Sequence, residues 1–394
     1  MNHSASPGAR LRAHRSPFRR RHLNLRFVLP LVLALFLWGC SDDDSPTDPA
    51  QETGTVTGQV TAANGTTPIQ GATVRLAPQG AAMIGENDGD LAFMTGPETT
   101  TDDEGRYTLE GVPAGNQTLL ATRGVFRVTI PVQVTANEVT EAPVAPLDAE
   151  GELAYVSGMF DNIQTIVRDE LGTELTQISA SDLADPSVTS QYRFIFINCG
   201  VSDWSYADDP DVRDNLLAFM AQGGALYVSD LEMPLVQSLF PNAIPREGDG
   251  DSGVIEADVA SQPLRAFIGG QSTVDIAFNL DGWAAMPEVS SGPEILLRGD
   301  YYDDWEGGWV QNAPLAITLS HGAGQLVYTS FHTNAAATED QISVLRYFIY
   351  GFGDVGFASL DSADFPALSF RDHFEGRTDP ALESAHREHR ALRR

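Results

Sequence analysis

The apolar pattern changes period once, near residue 150, and that change restricts the chain to two architectures in succession. Before it, short alternating runs follow one another: Thr55-Val56-Thr57-Gly58-Gln59-Val60, Ala72-Thr73-Val74-Arg75-Leu76, Arg106-Tyr107-Thr108-Leu109, Gln117-Thr118-Leu119-Leu120-Ala121 and Phe126-Arg127-Val128-Thr129-Ile130. Glycine, proline, Asn or Asp separates them and no helical period intervenes, which predicts a small all-β antiparallel sandwich. After it, the strand-like Leu153-Ala154-Tyr155-Val156 is followed by Ile163, Ile166, Val167 and Leu171 at helical spacing. The run Phe194-Ile195-Phe196-Ile197-Asn198-Cys199 is apolar on both faces, as a buried parallel strand requires. Asp209 is placed to cap a helix with Pro210 at its first position, Val212, Leu216, Leu217 and Met220 on its inner face and Gly223 as its stop. Ala225-Leu226-Tyr227-Val228 returns as a strand, and this alternation predicts a doubly wound α/β sheet. Three more strands are read at 294–298, 315–319 and 325–329, and Thr338 with Gln341 forms a capping box for a closing helix.

The N-terminal 26 residues hold seven arginines and no acid, ahead of an apolar run at 27–38 that ends at Cys40 and opens onto Ser41-Asp42-Asp43-Asp44. That order is a secretory signal. The competing reading, an uncleaved membrane helix, needs about 20 apolar residues to cross about 30 Å of hydrocarbon, and the run is nearer a dozen. Leu37-Trp38-Gly39-Cys40 resembles a bacterial lipoprotein lipobox. The resemblance implies cleavage before Cys40, acylation of that residue and an exported protein held to the lipid bilayer, with Ser41 pointing to the outer membrane. Residues 1–39 are then the signal peptide and 40–53, polar and proline-containing, the lipidated tether.

The chain has 54 acidic and 24 basic residues, a net charge of −30, and no lysine. Seven of the basic residues fall in the signal, so the exported part is more acidic still. A field of that sign excludes nucleic acid as a partner. Beyond Cys40 the remaining cysteine is Cys199, so no intramolecular disulfide is expected and the fold must rest on apolar burial.

Gly58-Gln59-Val60, Pro68-Ile69-Gln70-Gly71-Ala72-Thr73-Val74, Thr101-Asp102-Asp103-Glu104-Gly105-Arg106-Tyr107 and Gly111-Val112-Pro113-Ala114-Gly115 occur in order, and together resemble the carboxypeptidase regulatory-like domain. The resemblance spans residues 54–148 and implies a transthyretin-like sandwich, often grouped with carbohydrate-binding-like folds. Asp103-Glu104-Gly105 reads as a hairpin turn whose glycine takes positive φ. The acidic stretch 85–90 in a long insertion lacks the ligand spacing of an EF-hand and reads as an ordinary loop.

Residues 151–353 resemble the class I glutamine amidotransferase-like fold, a flavodoxin-like sheet, through residues 194–200, Gly223-Gly224-Ala225-Leu226-Tyr227-Val228-Ser229-Asp230 and Tyr328-Thr329-Ser330-Phe331-His332. The resemblance places Ser229 at the nucleophile position and His332 at the base. Tyr227 and Leu231 stand where a nucleophile elbow needs glycines, and Asn334 stands where a glutamate follows the histidine, so no catalytic residue is expected. Cys199, at the end of a buried strand, is either a nucleophile facing the crevice or a packed apolar residue.

The ligand-binding candidates are Asp230, Asp203, Trp204 and Tyr206 after the Cys199 strand, and Tyr301, Tyr302, Asp304 and Trp305 with Trp309. Aromatics interleaved with carboxylates suit sugar rings, and equally serve as packed anchors. The stretch 247–253 reads as a mobile acidic loop and a weak calcium candidate; otherwise no cofactor and no metal are expected, His321 and His332 making no zinc pattern. The expectation is a non-catalytic, lipid-anchored envelope protein binding a carbohydrate or an envelope protein. The alternatives are a hydrolase using Ser229 or Cys199 with His332, and a structural spacer. Residues 359–394 are expected to form a flexible tail.

Overall fold

The computed structural model describes residues 52–77, 96–149 and 151–351, all within one compact unit. The expected signal peptide, Cys40, most of the tether, the acidic stretch 85–90 and the C-terminal tail lie outside the described residues. Among the described residues, no helix is long and apolar enough to cross a membrane.

The protein is β-rich and begins with a sandwich. Its strands are β1 (Thr53–Ala62), β2 (Thr73–Leu76), β3 (Glu98–Thr100), β4 (Arg106–Pro113), β5 (Gly115–Arg123), β6 (Phe126–Val134), β7 (Val139–Glu141) and β8 (Ala145–Leu147). One sheet has β1 between antiparallel β4 and parallel β7, with β8 also on β1; the other runs β3-β2-β5-β6. Burial alternates along β6, where Ile130, Val132 and Val134 point inward and their neighbours outward, so the period-two pattern does select the core face. The predicted turn before β4 forms: Gly105 has φ 70°, and the Asp102 carboxylate accepts the Glu104 and Arg106 N–H groups at 3.0 and 2.8 Å.

The second half starts with β9 (Leu153–Val156), α1 (Ile163–Leu171), β10 (Thr176–Ile178), α2 (Pro186–Thr189), β11 (Phe194–Ile197), α3 (Pro210–Ala221), β12 (Ala225–Ser229) and α4 (Met233–Leu239). It continues through β13 (Gly248–Gly250), β14 (Gly253–Val259), α5 (Gln262–Phe267), β15 (Thr273–Phe278), β16 (Trp283–Ala285), β17 (Glu294–Asp303), β18 (Gly308–His321), β19 (Gly324–Thr329) and α6 (Glu339–Gly351). These strands make one 11-stranded sheet. Five are parallel, in the order β10-β9-β11-β12-β19, and the β18–β19 hairpin carries the sheet onward as antiparallel ribbons.

Both faces of the parallel part are covered. Phe194, Phe196 and Tyr227 pack with α1 and α6 on one side; Ile195, Ile197, Leu226 and Val228 pack with α3 and α4 on the other. That is why β11 is apolar at every position. α3 begins as predicted, with the Asp209 carboxylate accepting the Asp211 N–H at 2.9 Å and Pro210 next. Thr338 likewise accepts the Gln341 N–H at 3.0 Å. The Gln341 side chain does not reach back toward the cap; it donates to the His332 carbonyl at 2.9 Å and accepts the Ala277 N–H at 3.1 Å.

One expectation is corrected here. The stretch 247–253, read as a mobile acidic loop, contains β13, which pairs with β16 and β17 and buries Asp249. Its Gly-Asp-Gly core is too short and too polar to show a strand period.

The sandwich is packed directly on the α/β part. The Asn64 backbone N–H and side-chain amide donate to the carbonyls of Leu171 and Glu170, at 3.0 and 2.9 Å. Phe126 meets Tyr350 with ring centroids 4.8 Å apart, and Arg127 bonds Glu152.

Candidate functional site

The register sets the C-terminal ends of β9, β11, β12 and β19 side by side, the edge of an open α/β sheet where ligands bind. Asp161 follows β9, Cys199 follows β11, Ser229 and Asp230 end β12, and His332 follows β19; with Glu232 they form one buried polar cluster. Asp161 Oδ2 accepts the Cys199 N–H at 2.9 Å and the Ser229 hydroxyl, while Oδ1 accepts the Thr333 N–H at 2.6 Å. Asp230 Oδ1 accepts the Ala284 N–H at 2.6 Å. Its Oδ2 lies 3.2 Å from His332 Nδ1 and 3.4 Å from Cys199 Sγ. Glu232 accepts the N–H groups of Gly200 and Val201 at 3.0 and 3.1 Å, and the Tyr206 hydroxyl on its other oxygen.

Burial, together with the Asp230 and Asp161 carboxylates, pushes the Cys199 thiol well above its ordinary range. Burial also raises Asp161, although His332 and the hydrogen bonds it accepts pull the other way. For His332, burial disfavours the imidazolium, but the Asp230 hydrogen bond and the Asp161 field outweigh it and the pKa rises. The cluster therefore keeps the thiol protonated beside carboxylates that favour a proton on the imidazole, a poor setting for a thiolate nucleophile.

Each residue named from the sequence has a definite place. Ser229 donates to Asp161 while His332 faces Asp230, so the two are oriented by different carboxylates. The left-handed backbone of the strand-to-helix turn belongs to Asp230, φ 47°, one residue beyond Ser229. Cys199 is fully buried, as a packing residue is, yet its surroundings are polar and include the His332 imidazole, the partner named for it in the hydrolase alternative. The carboxylate missing at Asn334 is supplied to the imidazole by Asp230; Asn334 itself donates to the Phe160 carbonyl at 3.3 Å.

Asp203 caps a short helical turn by accepting from Ser205, Trp204 is half-buried, and Tyr206 is buried and donates to Glu232. Sequence reasoning missed Asp161 and Glu232. The available signal was an acid a few residues past a strand end, and a second acid two residues after Asp230 within Leu231-Glu232-Met233, between apolar neighbours.

The second aromatic stretch behaves differently. Tyr301 is buried against Trp283, with centroids 5.0 Å apart, and Asp304 and Trp305 sit exposed on the turn between β17 and β18. Tyr302 meets Trp309 edge to face at 6.0 Å, and Trp309 is 70% exposed. Both line a groove of about 740 Å³ with Glu256, Asp258, Asp300 and Asn312.

No curated protein matches this sequence. Among solved structures, the chain is similar to ThuA-like proteins from Parabacteroides merdae (12% identity, TM-score 0.35, 55% of this chain and 94% of that one) and Bacteroides uniformis (12%, 0.35, 50% and 88%). It is also similar to a β-galactosidase from Rahnella sp. R3 (13%, 0.32, 50% of this chain and 30% of that one). Residues 55–146 match the carboxypeptidase regulatory-like domain family, which places the N-terminal sandwich in that family.

Proposed function

We propose that this is a lipid-anchored, non-catalytic cell-envelope protein that binds carbohydrate in the groove between β14, β17 and β18. The carrying observation is Trp309, largely exposed and braced by Tyr302 beside the carboxylates of Glu256, Asp258 and Asp300. An apolar ring with hydrogen-bond acceptors around it suits a pyranose, whose C–H face stacks while its hydroxyls donate. The anchor reading rests on the residues around Cys40. The parallel order β10-β9-β11-β12-β19 supports reading the second part as a doubly wound, flavodoxin-like unit of the amidotransferase-like kind. The burial and separate pairing of Ser229 and His332, and the raised thiol pKa of Cys199, support its lack of that chemistry.

The test is affinity electrophoresis of the full chain, in detergent, through gels containing peptidoglycan fragments or extracellular polysaccharides. Retardation that is weakened about 2–10-fold in Trp309→Ala, the equivalent of losing one ring contact, is expected. Migration unaffected by every polysaccharide, or equally retarded in Trp309→Ala, overturns the groove assignment.

A further inference from the structure

We propose that Cys199, Asp230 and His332 form a binding site for a divalent transition metal of the zinc class, with three protein ligands and a fourth position taken by a non-protein ligand. Sulfur, imidazole nitrogen and carboxylate oxygen are the donor types zinc takes, and here they come from the ends of three adjacent strands. Ideal tetrahedral bonds put a thiolate about 3.5 Å and an imidazole nitrogen about 3.3 Å from a carboxylate oxygen that shares the ion. The observed separations from Asp230 Oδ2 are 3.4 and 3.2 Å, and all three donor atoms lie within 4.8 Å of one another. Closing sulfur and nitrogen to about 3.6 Å, the tetrahedral separation for these donors, completes the polyhedron.

Independent features support the assignment. Asp161 and Glu232, both buried, accept the backbone N–H groups of Cys199 and Gly200, so two further carboxylates stand beside the site and favour a cation there. The Ala284 N–H holds the second oxygen of Asp230, as the free oxygen of a ligating carboxylate is held. Gln341 and Asp161 fix the backbones that carry the other two ligands, at the His332 carbonyl and the Cys199 N–H. Asp230 keeps a left-handed backbone that costs free energy, and strain of this kind concentrates at functional sites. Binding displaces the thiol proton of Cys199, and any proton on the ligating nitrogen of His332, to solvent, leaving thiolate and neutral imidazole on the ion.

The experiment is metal analysis by plasma mass spectrometry of the full chain, purified in detergent without chelator, followed by unfolding with chelator and refolding with Co²⁺. Stoichiometric zinc as purified, and a thiolate-to-cobalt charge-transfer band after refolding, are expected. With only two cysteines in the chain, the band in a Cys40→Ser background reports Cys199 alone. His332→Ala and Cys199→Ala are expected to lose metal affinity by about tenfold or more, whereas Trp309→Ala retains it. Should the variants fail to fold, the cobalt spectrum of the Cys40→Ser protein decides. Natively refolded protein that takes up no Co²⁺, binds it without the thiolate band, or holds it equally in folded His332→Ala overturns the proposal.

Discussion

Asp161 accepts the backbone N–H of Thr333 at 2.6 Å across 172 residues of sequence, joining the segment after the first strand of the parallel sheet to the segment after the last. The same carboxylate takes the Cys199 N–H and the Ser229 hydroxyl, so one side chain binds four strand ends together. Asp161→Asn keeps the shape but turns an accepting oxygen into a donor that must face one of these donors. An unsatisfied buried group costs roughly 1–3 kcal/mol, and here at least one N–H and the new amide are affected. A loss of about 3 kcal/mol in urea unfolding is the expected result; a loss below about 1 kcal/mol would show that the carboxylate does not hold the strand ends.

The loop carrying Cys199 also depends on a residue with no side chain. A Cβ at Gly158 would lie 2.2 Å from the Cys199 carbonyl oxygen and 2.6 Å from that of Asn198, both backbone atoms that no rotamer change moves aside. Gly158→Ala is therefore expected to destabilise by about 1–3 kcal/mol through displacement of the Cys199 segment. Gly308→Ala, where a Cβ meets nothing within 4 Å, is the matched comparison and should change stability by less than about 0.5 kcal/mol. Equal melting temperatures for the two variants would contradict the close approach.

Much of this arrangement was legible in the sequence, residue by residue. The period change near 150, the β11 run and the α3 cap all appear as read, because burial face and cap chemistry are local properties. Cys199 and His332 are paired in the hydrolase alternative, but Asp230 is read only as a separate ligand candidate, and its place between the two is not visible. Cys199 and Asp230 are 31 residues apart, and Asp230 and His332 are 102 apart. A hydrophobic period states which face of a strand is buried and leaves open which strand lies beside it. The convergence depends on β19 returning next to β12 through the β18 hairpin, a choice made by the tertiary fold. Gln341 shows the same limit: its spacing from Thr338 fits a capping box, yet its side chain is used by His332 and Ala277.

The contact between the sandwich and the α/β part carries a prediction about cooperativity. One continuous apolar cluster runs from Val56 and Leu119 through Phe126 to Ile163, Phe348 and Tyr350, so neither part completes its core alone. Calorimetry of the full chain should show one transition whose calorimetric and van't Hoff enthalpies agree. Phe126→Ala, which removes a buried ring tilted at 51° against Tyr350, is expected to cost about 3–5 kcal/mol and to lower the temperature of that single transition. Two separated transitions, with only the first moved by the substitution, would mean that the interface contributes little.

Tyrosine ionisation gives the last prediction, on the alkaline side. Burial raises the Tyr107 phenol from 10.0 to about 12, and raises Tyr227, Tyr301, Tyr347 and Tyr350 as well. The folded state therefore holds these protons at pH values where the unfolded chain has released them. Because the native state binds more protons, stability is at its full value below pH 10.0 and falls as pH rises toward the folded values. The near-ultraviolet tyrosinate signal of these five residues should thus appear late, together with loss of the folded circular dichroism signal. In urea that late component should move down toward the ordinary value. A folded protein whose tyrosines all titrate together near 10.0 would mean that these hydroxyls reach water, and that Tyr107, placed against Gly58 with no room for a Cβ between them, is not packed as described.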